Sequence, residues 1–448
     1  MSEIYDWHIS LPASINTTMV PESIRRDPEL LWSRRLIWLY FWAWLLEGAV
    51  LKWVLPVVSM SHEWVVITKN LLYFGKDIIL ITVYALLASR KHLPQSGFLI
   101  AAGILAALLA ADAQFCGHGD WIVTLNGLRV NFLHVPLIFA IPELFSLDDV
   151  ILIGQSILWL SIPMSGMVVS EFFAPAGLLR PSGFFTTSEG LICFLSLQAV
   201  FIAEGFLSNR DRIIGTLSLA ALIFSLICSQ NASGAVSCVT ILMVFLWGLL
   251  LNSKPFKRGL VFLLVMVVVI IAASSTTVFK QAYDALQKTS PQIEKKVLPS
   301  SLWQQFQNNL AEPYEVIKVV SIPGSGTGAG TAIGCKLLPP VGIFNLTMNE
   351  WSRLLWESGL ILGIAMIIWR ITLAGYLIYW GVRCLKKSDN FLPWLLCAAT
   401  VPLVLFGNWD HPTLLAATSL GSGLILSSTR KSYENHPVFK YAYTSVKR

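Results

Sequence analysis

Three charged side chains at helical spacing are the residues of this sequence best placed to do chemistry. Glu350, Arg353 and Glu357 are three and four positions apart, so one face of a helix would carry all of them. A carboxylate can accept a proton as a general base, and a neighbouring guanidinium can hold an anion. The same spacing also fits a salt-bridge ladder at a membrane surface, so a catalytic and a structural interpretation both stay open.

Arg180 is a second candidate, because a turn signal follows it directly in Arg180-Pro-Ser-Gly-Phe-Phe-Thr-Thr-Ser-Glu189. Proline and glycine fix a turn there, and Thr187 or Ser188 is placed to cap the next helix. A planar guanidinium suits a pyrophosphate. The alternative is a lone interfacial arginine that extends its head to lipid headgroups.

Two further segments are candidates for contact with substrate. The run Gly324-Ser-Gly-Thr-Gly-Ala-Gly330 offers successive backbone N–H groups that can form an anion-binding nest, in which Gly324 and Gly326 would take part. No strand precedes the run, so it is not a dinucleotide fingerprint. In Asn408-Trp-Asp-His-Pro412, Asp410 and His411 are adjacent, and His411 would orient substrate or carry a proton unless the segment is an ordinary turn.

The composition requires these residues to be positioned by membrane helices. Of 448 residues, 55% are hydrophobic and 13% are charged, with a mean hydropathy of +0.65. Soluble domains carry about 25% charged residues. Apolar runs near the length of ~20 residues that crosses a bilayer recur along the chain, and no alternating pattern predicts a barrel. The sequence therefore predicts an all-α polytopic membrane protein.

About twelve spans are predicted, and the basic residues give them an orientation. Lysines and arginines lie almost entirely on one side of the predicted spans, with Arg180 as the exception, so both termini are expected in the cytoplasm. The predicted spans are 36–58, 64–89, 96–115, 121–145, 149–172, 187–207, 212–229, 232–252, 258–279, 354–382, 391–407 and 412–429.

This topology divides the chain into successive segments. A cytoplasmic segment (1–35) precedes a first membrane bundle of about nine spans (36–279), and a large extracytoplasmic loop (280–353) follows, with short helices expected between Lys280 and Val319. The last three membrane helices (354–429) lead into a cytoplasmic tail (430–448). The net charge of +6 follows this asymmetry, so no nucleic acid partner is expected.

The cysteines and the intramembrane charges restrict the chemistry further. The seven cysteines form no CxxC pair or His/Cys cluster, so neither a metal nor another cofactor is expected. Glu47 and Lys52 on one span and Lys76 and Asp77 on the next are expected to neutralise one another across helices. Other ionisable residues predicted within spans are Lys69, Arg129, His134, Glu204 and Arg370.

Several of these segments resemble the O-antigen ligase/polymerase superfamily. Arg-Pro-Ser-Gly-Phe-Phe at 180–185 looks like its Arg-x-x-Gly-x-Phe segment. The stretch 349–363, which follows a glycine-rich run in a large outside loop, resembles its His-Asn-x-x-Leu-x-x-x-x-Glu-x-Gly-x-x-Gly signature. The stretches 47–56 and 127–136 are similar to a polymerase-like bacterial branch, which adds Arg129 to the substrate-binding candidates.

The resemblance implies the all-helical membrane glycosyltransferase fold called GT-C, in a bacterial inner membrane. The implied reaction polymerises, or ligates, undecaprenyl-pyrophosphate-linked oligosaccharide repeat units in exopolysaccharide or O-antigen synthesis, without a metal. Arg180 and Arg353 would hold the pyrophosphate as charge develops on it. Glu357 is grouped with the substrate-binding residues, and chain-length regulators and export proteins are implied as partners.

One departure from the family pattern changes the expected base. Where the ligase signature has His-Asn, this chain has Asn349-Glu350, so Glu350 becomes the candidate general base, with Asp410 or His411 as alternatives. A different class of function stays open as well. The charges within the predicted spans also fit a transporter or flippase of polysaccharide or lipid-linked glycan, although the sequence lacks the internal repeats typical of transporters.

Overall fold

A computed structural model describes residues 28–55, 62–174, 181–210, 212–289, 311–338 and 349–430. Within these ranges the chain forms helices and no strand, which confirms the predicted fold class. The helices are α1 Pro28–Ala49, α2 His62–Ser89, α3 Gly97–Phe115, α4 Trp121–Leu128, α5 Val135–Leu144, α6 Leu147–Phe173, α7 Ser188–Ser208, α8 Arg212–Ser229, α9 Ala232–Leu251, α10 Phe256–Ser274, α11 Thr277–Thr289, α12 Gly334–Leu337, α13 Glu350–Ser388, α14 Leu392–Phe406 and α15 Pro412–Arg430.

Nine helical segments of the described ranges are long and apolar enough to cross a membrane. The protein is therefore a polytopic α-helical membrane protein that lies in a lipid bilayer. The three remaining predicted spans correspond to α2, α14 and α15, which are also helices. Helix α2 carries charges in its middle, α14 has 15 residues, and α15 is rich in serine and threonine. The total of twelve spans stays a prediction.

Helix α15 occupies the centre of the bundle, and residues 413–429 are all buried. Its low apolar content is compatible with burial because several of its hydroxyls bond carbonyls of their own helix, as Thr418 does with Leu414 at 2.8 Å. Small residues let neighbours approach closely: a Cβ at Gly421 would lie 2.4 Å from Thr400 Oγ1. Central packing, rather than hydropathy, therefore defines this helix.

The last long helix, α13, reverses direction at Gly359, which has φ +70° and ψ 179°. Residues 350–358 fold back against the long segment that begins at Leu360, because a Cβ at Gly363 would lie 2.9 Å from the Cα of Leu355. The sequence predicts a charged helix start at the membrane surface that continues into the span. The structure corrects this: a short returning helix places its charges inside the bundle.

Two π-helical turns lie in the stretches 47–56 and 127–136, which also carry the family resemblance. The first, Val50–Val54, continues α1. The second, Arg129–Leu133, lies between α4 and α5, so the single span predicted at 121–145 is a broken helix. Asp120 begins α4 by accepting hydrogen bonds from the N–H groups of Ile122 and Val123. Such π turns re-aim side chains and often lie at functional sites.

The predicted outside loop has helices of its own in its described parts. Helix α11 lies at its start, and residues 311–319 form another helical stretch, in line with the short helices expected there. Residues 290–310 and 339–348 lie outside the described ranges. The glycine-rich run is described, and it packs inward, against the returning helix of α13.

Candidate functional site: two buried charge clusters joined by a turn

Four charged residues of α13 form a buried network, which we call the tetrad: Glu350, Arg353, Glu357 and Arg370. Arg353 donates to both oxygens of Glu350, at 2.9 and 2.8 Å, and to Glu357 at 2.9 Å. Arg370 donates to Glu350 at 2.7 Å. Two cations face two anions here, so the tetrad is neutral overall. This geometry matches the salt-bridge interpretation of the spacing.

Burial of the tetrad is nearly complete, with exposed fractions of 4% for Glu350, 6% for Arg353 and 0% for Glu357 and Arg370. The Arg370 guanidinium carbon also lies 3.8 Å from the centre of the Trp409 ring, a cation–π contact. The backbone N–H of Trp409 points to Glu350 Oε1 at 3.5 Å. The tetrad is therefore held from the turn between α14 and α15 as well as by its own helix.

The glycine-rich run packs on the end of the returning helix. The N–H groups of Ser325 and Gly326 donate to the carbonyls of Trp356 and Glu357, at 3.0 and 2.9 Å. These bonds satisfy carbonyls that a helix C-terminus otherwise leaves without a partner. A Cβ at Gly324 would lie 2.2 Å from the Glu357 carbonyl oxygen. Close backbone approach accounts for glycine here.

Backbone N–H groups of this run do form an anion-binding nest, and the anion bound there is a carboxylate of the protein itself. The N–H groups of Gly328 and Gly330 donate to the two carboxylate oxygens of Glu357, at 3.1 and 3.0 Å. Gly328 has φ +90°, and a Cβ there would lie 2.2 Å from the Val123 carbonyl oxygen. In this structure Glu357 occupies the nest, whereas contact of Gly324 and Gly326 with substrate stays a prediction.

His118, which has no motif around it in the sequence, holds the other side of this run. His118 Nδ1 accepts a hydrogen bond from the Asp120 N–H at 2.9 Å. Its Nε2 therefore carries the proton and donates to the Thr327 carbonyl oxygen at 3.2 Å. His118 thus ties the glycine-rich run to the start of α4. Only the fold brings these residues together, since more than two hundred positions separate them.

A second buried cluster joins α1, α2 and the π turn after α4. Lys76 pairs with Glu47, as the expected cross-helix neutralisation requires. Asp77 pairs with Arg129 instead of Lys52, and His134 Nε2 lies 3.8 Å from Asp77. The Arg129 side chain keeps 23% exposure. It is therefore a far more accessible arginine than Arg353 or Arg370.

Lys52 anchors the turn that follows Arg180. It pairs with Glu171 at 2.5 Å and donates to Ser182 Oγ at 2.9 Å. The Glu171 carboxylate also accepts from the N–H groups of Ser182 and Gly183, at 2.7 and 2.9 Å. Arg180 itself lies outside the described residues. Glu171 has no motif around it, and its role could not be read from the sequence.

The turn that contains Asp410 and His411 lies beside the second cluster. Asp410 is half-buried and accepts from the Ala332 N–H at 3.1 Å, while His411 Nε2 lies 3.5 Å from Thr187 Oγ1 and 4.0 Å from Glu189. Burial lowers the pKa of His411, although nearby carboxylates oppose that shift. His411 is therefore neutral near pH 7 and able to accept a proton.

A small cavity lies between the second cluster and the turn that contains Asp410 and His411. Its volume of about 10 Å³ holds roughly one water molecule. Its polar walls come from Lys76, Asp77, Arg129, His134 and Asp410, and Trp409 separates it from the tetrad. In the part of the chain that the structure describes, no group of three or more His, Cys, Asp or Glu is arranged to hold a metal ion.

The four segments that carry the family resemblance meet in pairs around these clusters. A Cβ at Gly48 would lie 2.1 Å from the Phe184 carbonyl oxygen, so the stretch 47–56 touches the turn after Arg180. Arg353 Nη2 reaches Asn131 at 3.5 Å, which joins 349–363 to 127–136. The Lys76–Glu47 and Asp77–Arg129 pairs bring the two halves together through α2.

Fold and site thus define a polytopic α-helical membrane protein with paired charges buried in its bundle. No family model and no curated protein matches the chain. Among solved structures it is similar to a chain of the one described as "Structural coordination of polymerization and crosslinking by a peptidoglycan synthase complex". Identity is 13%, the TM-score is 0.39, and the match covers 76% of this chain and 98% of the other. A TM-score of this size does not define a shared fold.

Proposed function

We propose that the protein is a membrane glycosyltransferase that extends a cell-envelope polysaccharide. Its donor is an oligosaccharide on undecaprenyl pyrophosphate, and its acceptor is a sugar hydroxyl of a second lipid-linked unit. The observation that supports this most is the spatial meeting of four segments that resemble the O-antigen ligase/polymerase superfamily. Segments scattered over more than 300 residues of sequence contact one another in pairs beside buried charges.

The accessible residues suggest how the roles are divided. Arg129 is half-buried and lines the cavity, so it is suited to bind a phosphate oxygen, together with Arg180. Both oxygens of Glu350 already accept from arginines, and its exposure is 4%, so it is poorly placed to act as a base. We assign the base to the 408–412 turn, as Asp410 or His411. The tetrad then positions this turn through Trp409.

In the proposed reaction the base takes the proton of the acceptor hydroxyl. The hydroxyl oxygen then attacks the anomeric carbon of the donor sugar. The bond from that carbon to the pyrophosphate oxygen breaks, and the carrier leaves with the electron pair as undecaprenyl pyrophosphate. Guanidinium groups stabilise the negative charge that develops on the leaving group. A ligase would follow the same steps with lipid A core as its acceptor.

The proposed location is the bacterial inner membrane, with both termini cytoplasmic and the site opening to the outer face. Reconstitution with an undecaprenyl-pyrophosphate-linked oligosaccharide tests the function. Products with two or more repeat units, seen by gel or mass spectrometry, support a polymerase. Transfer only to added lipid A core supports a ligase. Recovery of unextended substrate from every reaction would reject both.

A second candidate is a transporter or flippase of lipid-linked glycan, and a specific feature favours it. Discontinuous helices near the middle of a membrane are typical of transporter binding sites, and this chain has a broken helix at α4–α5 and a returning helix in α13. In sealed vesicles a flippase moves labelled substrate across the bilayer without lengthening it. That result would replace the glycosyltransferase assignment.

A further inference from the structure

A groove between α3 and α13 lies at the opposite end of the bundle from the glycine-rich run. Its volume is about 500 Å³, and it is open on one side. That volume is within the range of about 300 to 1,000 Å³ typical of ligand sites. Its walls include Ser96, Gly97 and Phe98 of the α3 start and Trp369, Thr372 and Tyr376 of α13.

The depth of the groove follows from helix geometry. The end of α3 and the Gly359 turn both contact the glycine-rich run, since a Cβ at Gly117 would lie 2.8 Å from Gly326 Cα. Tyr376 is sixteen residues beyond Leu360, or about 24 Å along the helix. Gly97, the first residue of α3, lies at a similar distance from the end of the bundle that carries the glycine-rich run. The groove therefore lies where the hydrocarbon core meets the headgroups of the other leaflet.

The walls of the groove are suited to hydrocarbon. Phe98 and Tyr376 pack with ring centres 5.1 Å apart, and Trp369 Nε1 donates to the Phe98 carbonyl oxygen at 3.3 Å. The indole N–H is thus satisfied within the protein, which leaves apolar ring faces toward the groove. The Thr372 hydroxyl bonds the Ile368 carbonyl oxygen at 2.7 Å, so its polar atom is satisfied as well.

This groove faces lipid. Helix α3 has the smallest buried share of the nine candidate spans, 17%. Ile100 and Ile104 beside the groove are 67% and 57% exposed. In a bilayer these side chains contact acyl chains, so an acyl chain can enter the groove from the side without crossing water.

Positive charge lies beyond the headgroup end of the groove on α13. Arg383 follows Tyr376 by seven residues, so it lies on the same face of α13 about 10 Å further along. It stacks near Trp380, with 5.2 Å from guanidinium carbon to ring centre. Lys386 and Lys387 follow it, and Arg90 and Lys91 precede α3. A phosphate at this level would meet the cations of α13.

We propose that this groove is a specific site for one anionic phospholipid, with an acyl chain between α3 and α13 and the phosphate beside Arg383. The proposal goes beyond the proposed glycosyl transfer and does not rest on it. The site lies at the end of the bundle remote from the glycine-rich run, and its ligand is a structural lipid of the leaflet that is predicted to be cytoplasmic.

Two matched substitutions test the site. A Cβ at Gly97, which lines the groove, or at Gly103, which lies elsewhere on α3, would have nothing within 4 Å. Gly97→Leu therefore adds a side chain in the groove at a position where its Cβ meets no protein atom, and Gly103→Leu adds the same side chain outside the groove. Arg383→Gln removes the cation and retains hydrogen-bonding capacity.

The measurement is native mass spectrometry of purified protein from nanodiscs that contain equal amounts of phosphatidylglycerol and phosphatidylcholine. The wild type and Gly103→Leu are expected to retain one phosphatidylglycerol per chain. Gly97→Leu should retain at least fivefold less, and Arg383→Gln should lose the preference for phosphatidylglycerol. Equal retention by Gly97→Leu and Gly103→Leu, no retained lipid in the wild type, or equal retention of both lipids by the wild type would overturn the proposal.

Discussion

Glu350 and Arg370 form an ion pair at 2.7 Å although twenty residues separate them. In a continuous helix those residues would be about 30 Å apart. Their contact requires the chain reversal at Gly359, and the reversal in turn buries the charges of residues 350–357. One glycine thus decides whether this charged segment lies at the membrane surface or inside the bundle.

Loss of Arg370 is therefore expected to damage folding. Arg370→Met leaves the Glu350 carboxylate with one cation fewer in a buried site, which typically costs about 3 to 5 kcal/mol. Arg212→Met is the control, because Arg212 is exposed at the start of α8. Thermal unfolding of the detergent-solubilised variants measures the difference. Equal unfolding temperatures would contradict the role given to the tetrad.

The reversal itself can be tested with two glycines of the same helix. The backbone at Gly359 has a conformation that only glycine adopts readily, and a Cβ there would lie 2.1 Å from the Ile322 carbonyl oxygen. Gly359→Ala should therefore lower the free energy of unfolding by at least about 2 kcal/mol. A Cβ at Gly375 has nothing within 4 Å, and Gly375→Ala should be neutral or slightly stabilising. If the two variants unfold alike, residues 350–358 do not return against the long segment.

The general base can be located by comparing three variants. Asp410→Asn keeps an oxygen for the Ala332 N–H, so folding should persist. If Asp410 is the base, the rate of glycosyl transfer by Asp410→Asn should fall by about 10² to 10⁴-fold. If His411 is the base, His411→Gln should show that loss instead. Glu350→Gln should lower the amount of folded protein instead. A folded but inactive Glu350→Gln, with both turn variants active, would return the role to Glu350.

Acid should destabilise the protein partly through His411. Burial lowers its pKa below the usual value of about 6.5. Between the folded pKa and 6.5 the unfolded chain binds the proton more readily, so stability falls as the pH decreases through this window. His411→Gln removes this contribution, and its unfolding temperature should depend less on pH between 7 and 5 than that of the wild type. An unchanged dependence would count against a neutral, buried His411.

The sequence was sufficient for the membrane class and for many of the individual pairs. The helical spacing of Glu350, Arg353 and Glu357 predicted contacts that the structure contains, and Lys76 neutralises Glu47 as expected. Local spacing and hydropathy determine such features. They do not determine a chain reversal, because one glycine in a helical pattern also fits a continuous helix.

Features that depend on distant packing could not be predicted. Arg370 looked like an isolated intramembrane charge until the reversal placed Glu350 beside it. Arg353 likewise lies buried between two carboxylates that the sequence alone could not place inside the bundle, so Arg353→Ala is expected to fold poorly. The glycine-rich run looked open to a substrate anion, and tertiary packing gives its N–H groups to Glu357.

Elongation by the purified protein tests the central claim most directly. Wild-type protein reconstituted with undecaprenyl-pyrophosphate-linked oligosaccharide should produce a ladder of longer products. Arg180→Ala and Arg129→Ala, checked for normal unfolding temperatures, should reduce the rate by at least tenfold, while Arg212→Ala, at the start of α8, should not. A wild-type protein that moves labelled substrate across sealed vesicles without lengthening it would contradict the account.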